Sequence, residues 1–580
     1  MIQPEFKSLI DILSGKLFRI PEYQRHYSWQ SKQRKDLFED IEMLQEKRKR
    51  YDDRIHFMAT IVCLRTKDKE QVGSNTYYVY DVVDGQQRLT TLIILLKAIS
   101  RKLKTDGQDS EANEVDKMLV KDDRRLIILQ NNHDNRSLLR SYLENGLYPS
   151  EDSIKTAADD NLTDAIRECE KFVNSSSDTI GLLALIKNYL YFIFQYLEDK
   201  GAVYTIFEVL NSRGLDVDWL DKCKSLLMGL LYEYAMPEDE SLFNQHLDEL
   251  QEYWSQIYRE IGLYPIRGSE IVQFAATLKS KTDAGRPLSA EEALEFFKGE
   301  CAEPESNEEK IKRIIDYTTW IRDVTTCLAK LYADTRRNAV TEILQARLLA
   351  VSIMLRSDLS ENSKEKLLEQ WERTSFKIFG IFRKDARQKR GEYVRAAKRI
   401  VRKEHGFELN DIVLDIAQIG SDFLVDDFES QLLNEDSYNE WQKELRYFLY
   451  RYEEYLCKKN GVELNQTVWN EIWNSNVHNT IEHILPQDNS QVCWGAFSGK
   501  DELLHTLGNL CLLPPRLNSQ AGNKCFIDKK DVYKRANIFS MNGIIYNNDA
   551  ERRAWNASAV KARADQLIEF AKEHWKDLEI

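Results

Sequence analysis

The stretch Thr76-Tyr77-Tyr78-Val79-Tyr80-Asp81-Val82-Val83 runs into Asp84-Gly85-Gln86-Gln87-Arg88, and a helical pattern follows from Leu89 to Leu103. Tyrosine and valine favour a pleated, half-buried surface, so the first run reads as a strand and the whole as a strand-to-helix junction. A second β-rich run, Arg54 to Leu64, precedes it across a polar turn containing Gly73, Ser74 and Asn75. These elements give the chain an α/β character to about residue 235. A glycine at such a junction leaves backbone N–H groups open at a helix N-terminus, which suits an anion. Arg88 in the first turn would add a bidentate phosphate partner. Upstream, Ile20-Pro21-Glu22-Tyr23-Gln24-Arg25-His26-Tyr27-Ser28-Trp29 also precedes a helix. Arg25 could supply a second positive charge, and Trp29 or Tyr23 a stacking face. The same residues fit a plain turn in which Asp84 caps the helix and Arg88 pairs with a neighbouring carboxylate. The residues alone leave both readings open.

Beyond this region, residues 236–430 carry apolar spacing of the helical kind almost throughout, which reads as a scaffold of packed helices. From 431 come aromatic-rich helices with Trp441, Tyr447, Tyr450, Tyr452, Tyr455, Trp469 and Trp473. The character changes at Thr480 to β-like runs with prolines, asparagines and histidines, and a last helix spans Ala557 to Trp575. The expected fold class is therefore α+β, multidomain and mostly helical, with domains at 1–235, 236–430 and 431–580.

With 580 residues, 42% hydrophobic and 30% charged, the chain can bury real cores beneath a solvated surface. A net charge of -14 excludes a protein that is basic all over, but not nucleic acid, whose binding depends on a local patch. Nine cysteines lie scattered without CxxC pairs, which reads as a reduced, cytoplasmic chain without a zinc site. The N-terminal residues MIQPEFKSLIDI lack a basic segment and an apolar core, so no signal peptide is expected. The most apolar stretch, Ile180 to Leu197, contains Lys187, Asn188 and Gln195, and reads as a buried helix rather than a membrane span.

Chemistry concentrates near the C-terminal end. Thr480-Ile481-Glu482-His483-Ile484-Leu485-Pro486-Gln487 is followed by His505-Thr506-Leu507-Gly508-Asn509-Leu510-Cys511-Leu512-Leu513, then by Asn518, Asn523 and Lys529-Lys530. Phosphodiester hydrolysis needs a base for water and a cation for the phosphate. Glu482 and His483 are adjacent, so on a strand they face opposite ways, although a twisted hairpin tip would let both serve one site. Oxygen donors at Glu482 and Asn518 suit Mg²⁺ or Mn²⁺ better than zinc. His478 and His505 are given no role.

This segment resembles the HNH, or ββα-metal, nucleases, and especially the C-terminal domain of GmrSD-type restriction enzymes, with [DE]-H-I-x-P-Q, then L-G-N-L, then Asn and a Lys-rich end. The resemblance implies His483 as general base, Asn509 as the catalytic-site residue that braces the loop, and Glu482 and Asn518 as metal ligands. Lys529 or Lys530 would contact phosphate. The N-terminal motifs, I-P-x-Y-Q-R-x-Y-x-W and D-G-Q-Q-R-L-T-T-L, resemble the ParB/sulfiredoxin-like domain of the same family. That resemblance implies a nucleoside triphosphate bound, and often hydrolysed, by Arg25, Trp29, Asp84, Gly85, Gln86, Gln87 and Arg88. It extends to Asn211 and Arg213 in a polar turn ending at Gly214, with Asp218 as an N-cap, and then Asp221 and Lys224.

The run Arg383 to Lys403 holds ten cations against Asp385 and Glu392. It reads either as a DNA-facing stripe, with Arg395 and Arg399 on phosphates, or as a solvated helix paired with acidic neighbours. Together these features point to a nucleotide-regulated, Mg²⁺- or Mn²⁺-dependent HNH endonuclease of a type IV restriction or anti-phage system. Its partners would be modified foreign DNA and a triphosphate, with no membrane and room for a homodimer. The alternative is a nucleotide-dependent DNA-binding regulator or sensor whose HNH-like domain does not cut.

Overall fold

The computed structural model describes residues 5–49, 54–72, 75–121, 125–130, 136–197, 218–235, 240–282, 285–403, 408–433, 436–494, 499–546 and 555–578. Two compact units result: residues 1–280 with 288–329, and residues 281–287 with 330–580. The helical region 236–430 is thus divided between the two units. No helix among the described residues is long and apolar enough to cross a membrane.

The first unit is built on a mixed sheet of β1 (Glu5–Ser8), β2 (Lys16–Ile20), β3 (His56–Val72), β4 (Asn75–Asp84), β5 (Ile128–Gln130) and β6 (Leu190–Leu197), in the order β1-β6-β3-β4-β2-β5. The pairs β3–β4 and β1–β6 are antiparallel, whereas β2–β4, β2–β5 and β3–β6 are parallel. Helices α1 (Ser31–Arg48) and α2 (Gln86–Thr105) contribute Leu37, Ile41, Leu92, Ile93, Leu96 and Ile99 to one core with Phe18, Ile61, Val82 and Phe194 of the sheet. The continuous helix expected from Ile180 to Leu197 is corrected: a helix Thr179–Tyr189 gives way to β6. Tyr191, Phe192, Ile193 and Phe194 are aromatic and β-branched, and β6 gains partners on both edges, which outweighs the apolar continuity of the stretch. Two further helices, α3 (Trp219–Ala235) and α4 (Glu240–Leu263), follow in this unit.

The second unit is mainly helical. Its elements include α5 (Arg390–Arg402), α6 (Leu409–Ile419) and α7 (Gln442–Asn460). A short hairpin of β7 (Ile481–His483) and β8 (Leu510–Leu512) follows, with α8 (Pro515–Ala521), α9 (Phe526–Lys534) and α10 (Ala557–His574) around it. The core is aromatic: Phe376 meets Tyr447 at 4.5 Å and Trp575 at 4.9 Å, and Phe448 stacks on Trp575 at 5.0 Å. A buried ion cluster joins Glu372 to Arg337 and Arg451. Cys493 and Cys525 form a disulfide, so the reduced reading of the cysteines is corrected for this pair. They lie 32 residues apart, and folding brings them together where no short spacing could announce it.

Candidate functional site

Two constellations emerge, one in each unit. In the second, β7 and β8 pair antiparallel with His483 opposite Leu510 and Glu482 opposite Cys511. Residue alternation on a strand sends the two side chains to opposite faces. The His483 ring goes toward His505, with Nε2 3.1 Å from His505 Nδ1, and its centroid is 4.4 Å from that of Tyr438. Tyr438 also stacks on His505 at 5.4 Å and lies edge-on to His478. Burial, reinforced by His505 and Lys529, pushes the His483 pKa down to about 3, so the ring is neutral at physiological pH.

Glu482 goes the other way, into the protein. Its Oε1 accepts from Lys529 Nζ at 2.7 Å and from the Tyr533 hydroxyl at 2.8 Å, both on α9. The Glu482 and Lys529 side chains are 5% and 0% exposed. Burial raises the Glu482 carboxyl pKa despite the opposing pull of the Lys529 ammonium. One expectation is therefore corrected. Lys529 is not placed to reach a phosphate, because its ammonium is consumed inside by Glu482 and the His483 carbonyl. Glu482, expected as a metal ligand, has its Oε1 occupied by these two donors on the face away from the His483 ring. Lys530 is only partly buried and lies over the Phe526 ring.

Asn509 is fully buried and braces the turn after β7. Its Oδ1 accepts from Leu485 N at 2.8 Å and from Trp555 Nε1 at 3.1 Å, while its Nδ2 donates to the carbonyls of Leu485 and Leu504. Gly508 beside it packs so closely on α10 that a Cβ there would stand 2.2 Å from the Val560 carbonyl oxygen. From α10, Arg563 donates to the carbonyls of Leu507, Gly508 and Leu510. Asn518 on α8 donates through Nδ2 to the carbonyls of Asn479 and Ile481, leaving Oδ1 as the atom through which it could act as a ligand. Among the described residues no group of three or more His, Cys, Asp or Glu is arranged to hold a metal. To join Asn518 Oδ1 on a Mg²⁺ or Mn²⁺ ion, Glu482 would have to exchange its bonds to Lys529 and Tyr533.

In the first unit, the two N-terminal motifs are stitched together. Gln86 Nε2 donates to the Arg25 carbonyl and Gln87 Nε2 to the His26 carbonyl, while Ser28 N donates to Gln87 Oε1 at 2.8 Å. Gln24 Nε2 reaches the Val83 carbonyl, and the Tyr27 hydroxyl meets Thr91 Oγ1 at 2.9 Å. Gly85 is the N-cap of α2 at φ +87°, and a Cβ there would stand 3.1 Å from Ile61 Cγ1 and 3.2 Å from the Thr60 carbonyl oxygen. Glycine is required on both counts.

Charged groups gather beside this junction. Arg25 Nε lies 3.1 Å from Asp221 Oδ2, and its Nη1 is 4.0 Å from Asp218. Arg25 is thus placed in a carboxylate pair, and a phosphate would have to displace those partners. Asp218 Oδ1 accepts from Leu220 N at the start of α3, as an N-cap does. The Tyr258 hydroxyl donates to Asp221 at 2.5 Å. Lys224 is buried, donates to the Tyr23 carbonyl at 2.8 Å, and has its pKa pushed down to about 7 by burial. Burial also raises the Asp84 and Asp218 carboxyls above their ordinary range. The Arg88 guanidinium lies over the Trp29 ring at 5.5 Å. Asn211 and Arg213 lie outside the described residues.

The basic run resolves into an amphipathic α5 that buries Tyr393, Val394, Ala397 and Ile400. Several of its cations are paired: Arg383 with Glu440, Lys389 with Asp422, Arg399 with Asp415 and Lys403 with Asp358. Arg395 and Arg402 are exposed.

The structure adds Tyr438, His505, Tyr533, Trp555, Tyr258 and Arg563 to the two sites. Of these only His505 carried a signal, its place just ahead of Leu507-Gly508-Asn509-Leu510. The others join the sites through contacts long in sequence.

Family models report the same two regions. The N-terminal domain of the GmrSD restriction endonuclease matches residues 8–228, and the C-terminal domain of GmrSD restriction endonucleases matches residues 424–570. The class is therefore that of the restriction endonucleases, nucleases whose substrate is DNA. Within it, the chain belongs to the GmrSD family. No curated protein matches the chain.

Proposed function

We propose that the chain is a nucleotide-regulated DNA endonuclease of an anti-phage restriction system, acting on modified foreign DNA through an HNH-type site. The observation that carries this reading is His483, a neutral imidazole held 3.1 Å from His505 at the end of a hairpin braced by Asn509. In the tautomer with Nε2 donating to His505 Nδ1, the lone pair of His483 sits on Nδ1, which would take a proton from water as the water oxygen bonds to phosphorus and the bond to the sugar oxygen breaks, that oxygen leaving with a proton from solvent. Tyr438 confines both rings, and Lys530 is the cation proposed for the phosphate. Glu482 and Asn518 are the oxygen ligands proposed for a Mg²⁺ or Mn²⁺ ion, which would supply charge to the phosphate.

In the same proposal the first unit binds and hydrolyses a nucleoside triphosphate at the junction of Asp84 to Arg88, with Trp29 and Arg88 at its edge and Arg25 exchanging Asp221 for phosphate. The decisive assay is cleavage of modified and unmodified phage DNA, with Mg²⁺ or EDTA and with each triphosphate. His483→Ala should lower the cleavage rate by about 10²–10⁴ with folding intact. Arg88→Ala should lose triphosphate binding. Cutting by His483→Ala at the wild-type rate would remove the assignment.

One observation favours a second reading, a regulator that binds DNA without cutting: the Glu482 carboxylate is closed off by Lys529 and Tyr533. Absence of any nicking by the wild-type chain, with DNA binding retained, would select it.

A further inference from the structure

The second unit also holds a cavity of about 450 Å³ between α5, α6 and the short segment at Lys281 and Thr282. Its volume lies in the range of small-ligand pockets. Arg395, Arg399 and Arg402 stand at helical spacing on one face of α5 and all line it, with Lys398 and Lys281 beside them. Two carboxylates, Glu392 and Asp415, oppose these five cations. The excess is positive in a chain of net charge -14.

The cations are held in place by the fold. Lys398 is 5% exposed and donates to the Thr282 carbonyl, and Arg399 pairs with Asp415 across the cavity wall. Arg395 lies against Gly391, where a Cβ would stand 3.1 Å from its Nη1, so the missing side chain gives the guanidinium its place. The lining contains no aromatic ring, and Ile419 is its one wholly apolar side chain. A base would find nothing to stack on, whereas guanidinium forks match the oxygens of successive phosphates.

We infer that this cavity binds a chain of linked phosphates, with Arg395 and Arg402 at its mouth as the recognising groups. The phosphates could belong to a free polyphosphate or nucleotide, or to a nucleic-acid backbone. The inference does not depend on the nuclease assignment.

The test is calorimetry on the full chain with sodium tripolyphosphate and, separately, with a short single-stranded oligodeoxynucleotide. Wild type and Arg88→Ala should both show the site. Arg395→Ala/Arg402→Ala should weaken it by at least about tenfold, since each substitution removes a charge-assisted contact. Both residues are exposed, so circular dichroism should be unchanged, and Arg395→Lys/Arg402→Lys should recover part of the affinity. Weakening confined to tripolyphosphate identifies a free ligand, and weakening confined to the oligonucleotide identifies a backbone. Binding of both probes by the double alanine variant at wild-type affinity, or by neither protein, overturns the inference.

Discussion

Replacing Lys529 by methionine removes the cation from a carboxylate that water does not reach. The Lys529 and Glu482 side chains are 0% and 5% exposed and 2.7 Å apart, so the relevant scale is that of a broken buried pair. Such a loss costs about 3–5 kcal/mol, whereas an exposed pair is worth about 0–1 kcal/mol. The Tyr533 hydroxyl would still donate to Glu482 but cannot neutralise it. The sign of the pH dependence follows from the carboxyl. Its folded pKa is already raised by burial, and Lys529 is the first influence opposing that rise. A carboxyl with a raised folded pKa holds a proton that the unfolded chain has released. Stability therefore falls as pH rises from the ordinary carboxyl value through the folded one. Losing Lys529 raises the folded value further and widens that window. Lys529→Met should thus be most destabilised at neutral pH, and the deficit should shrink as pH falls toward 4.5, the ordinary value. Thermal unfolding of the full chain, followed by near-ultraviolet circular dichroism for the aromatic second unit, reads the effect. Adding Glu482→Gln to Lys529→Met should recover most of the loss. A deficit below about 1 kcal/mol, or one independent of pH, would refute the buried-pair account.

Asn509→Ala strands Leu485 N and Trp555 Nε1, each costing about 1–3 kcal/mol, and should lower both the unfolding temperature and cleavage; a variant as stable as wild type would contradict the bracing role. The His483 pKa, held near 3 by burial, gives a second pH signature. Below the ordinary histidine value of 6.5 the unfolded chain takes up a proton that the folded ring refuses, so this residue's contribution to stability falls as pH drops from 6.5 toward 3. For the same reason the acid limb of kcat/KM assigned to His483 should lie well below pH 6; a limb at the ordinary value would show that the working ring is solvated.

Much of the architecture was legible where local rules decide it. The strand, the glycine and the helix around Asp84 to Thr105 follow from composition and from the backbone freedom that Gly85 needs at φ +87°. Asp218 as a cap was also readable, because it acts on backbone two residues away, whereas Asn509 was legible only through the family pattern, since the Leu485 amide it braces lies 24 residues off. The direction of Glu482 was not. Strand alternation separates it from His483, but only folding of α9 reveals that Lys529 and Tyr533 wait on its side. The β6 strand was missed because an apolar run has no periodicity to distinguish strand from buried helix until its neighbours are known. Tyr438 carried no local signal, since it reaches His483 across a long sequence separation.

The three carbonyls held by Arg563 give the hairpin a dependence on order of synthesis. Leu507, Gly508 and Leu510 leave the ribosome well before α10, and until Arg563 follows they lack the donor that closes them. A nascent chain carrying His483 would therefore hold its histidine on an unlatched hairpin. Domains fold as units during synthesis, so nucleolytic competence should arrive late and at once rather than by degrees. Chains ended at Asn556 should accordingly fail to cut DNA although residues 480–512 are present, and cleavage by such a chain at the full rate would dismiss the latch. For a cell that makes a DNA-cutting enzyme, α10 would act as a safety catch released only once Arg563 is in place.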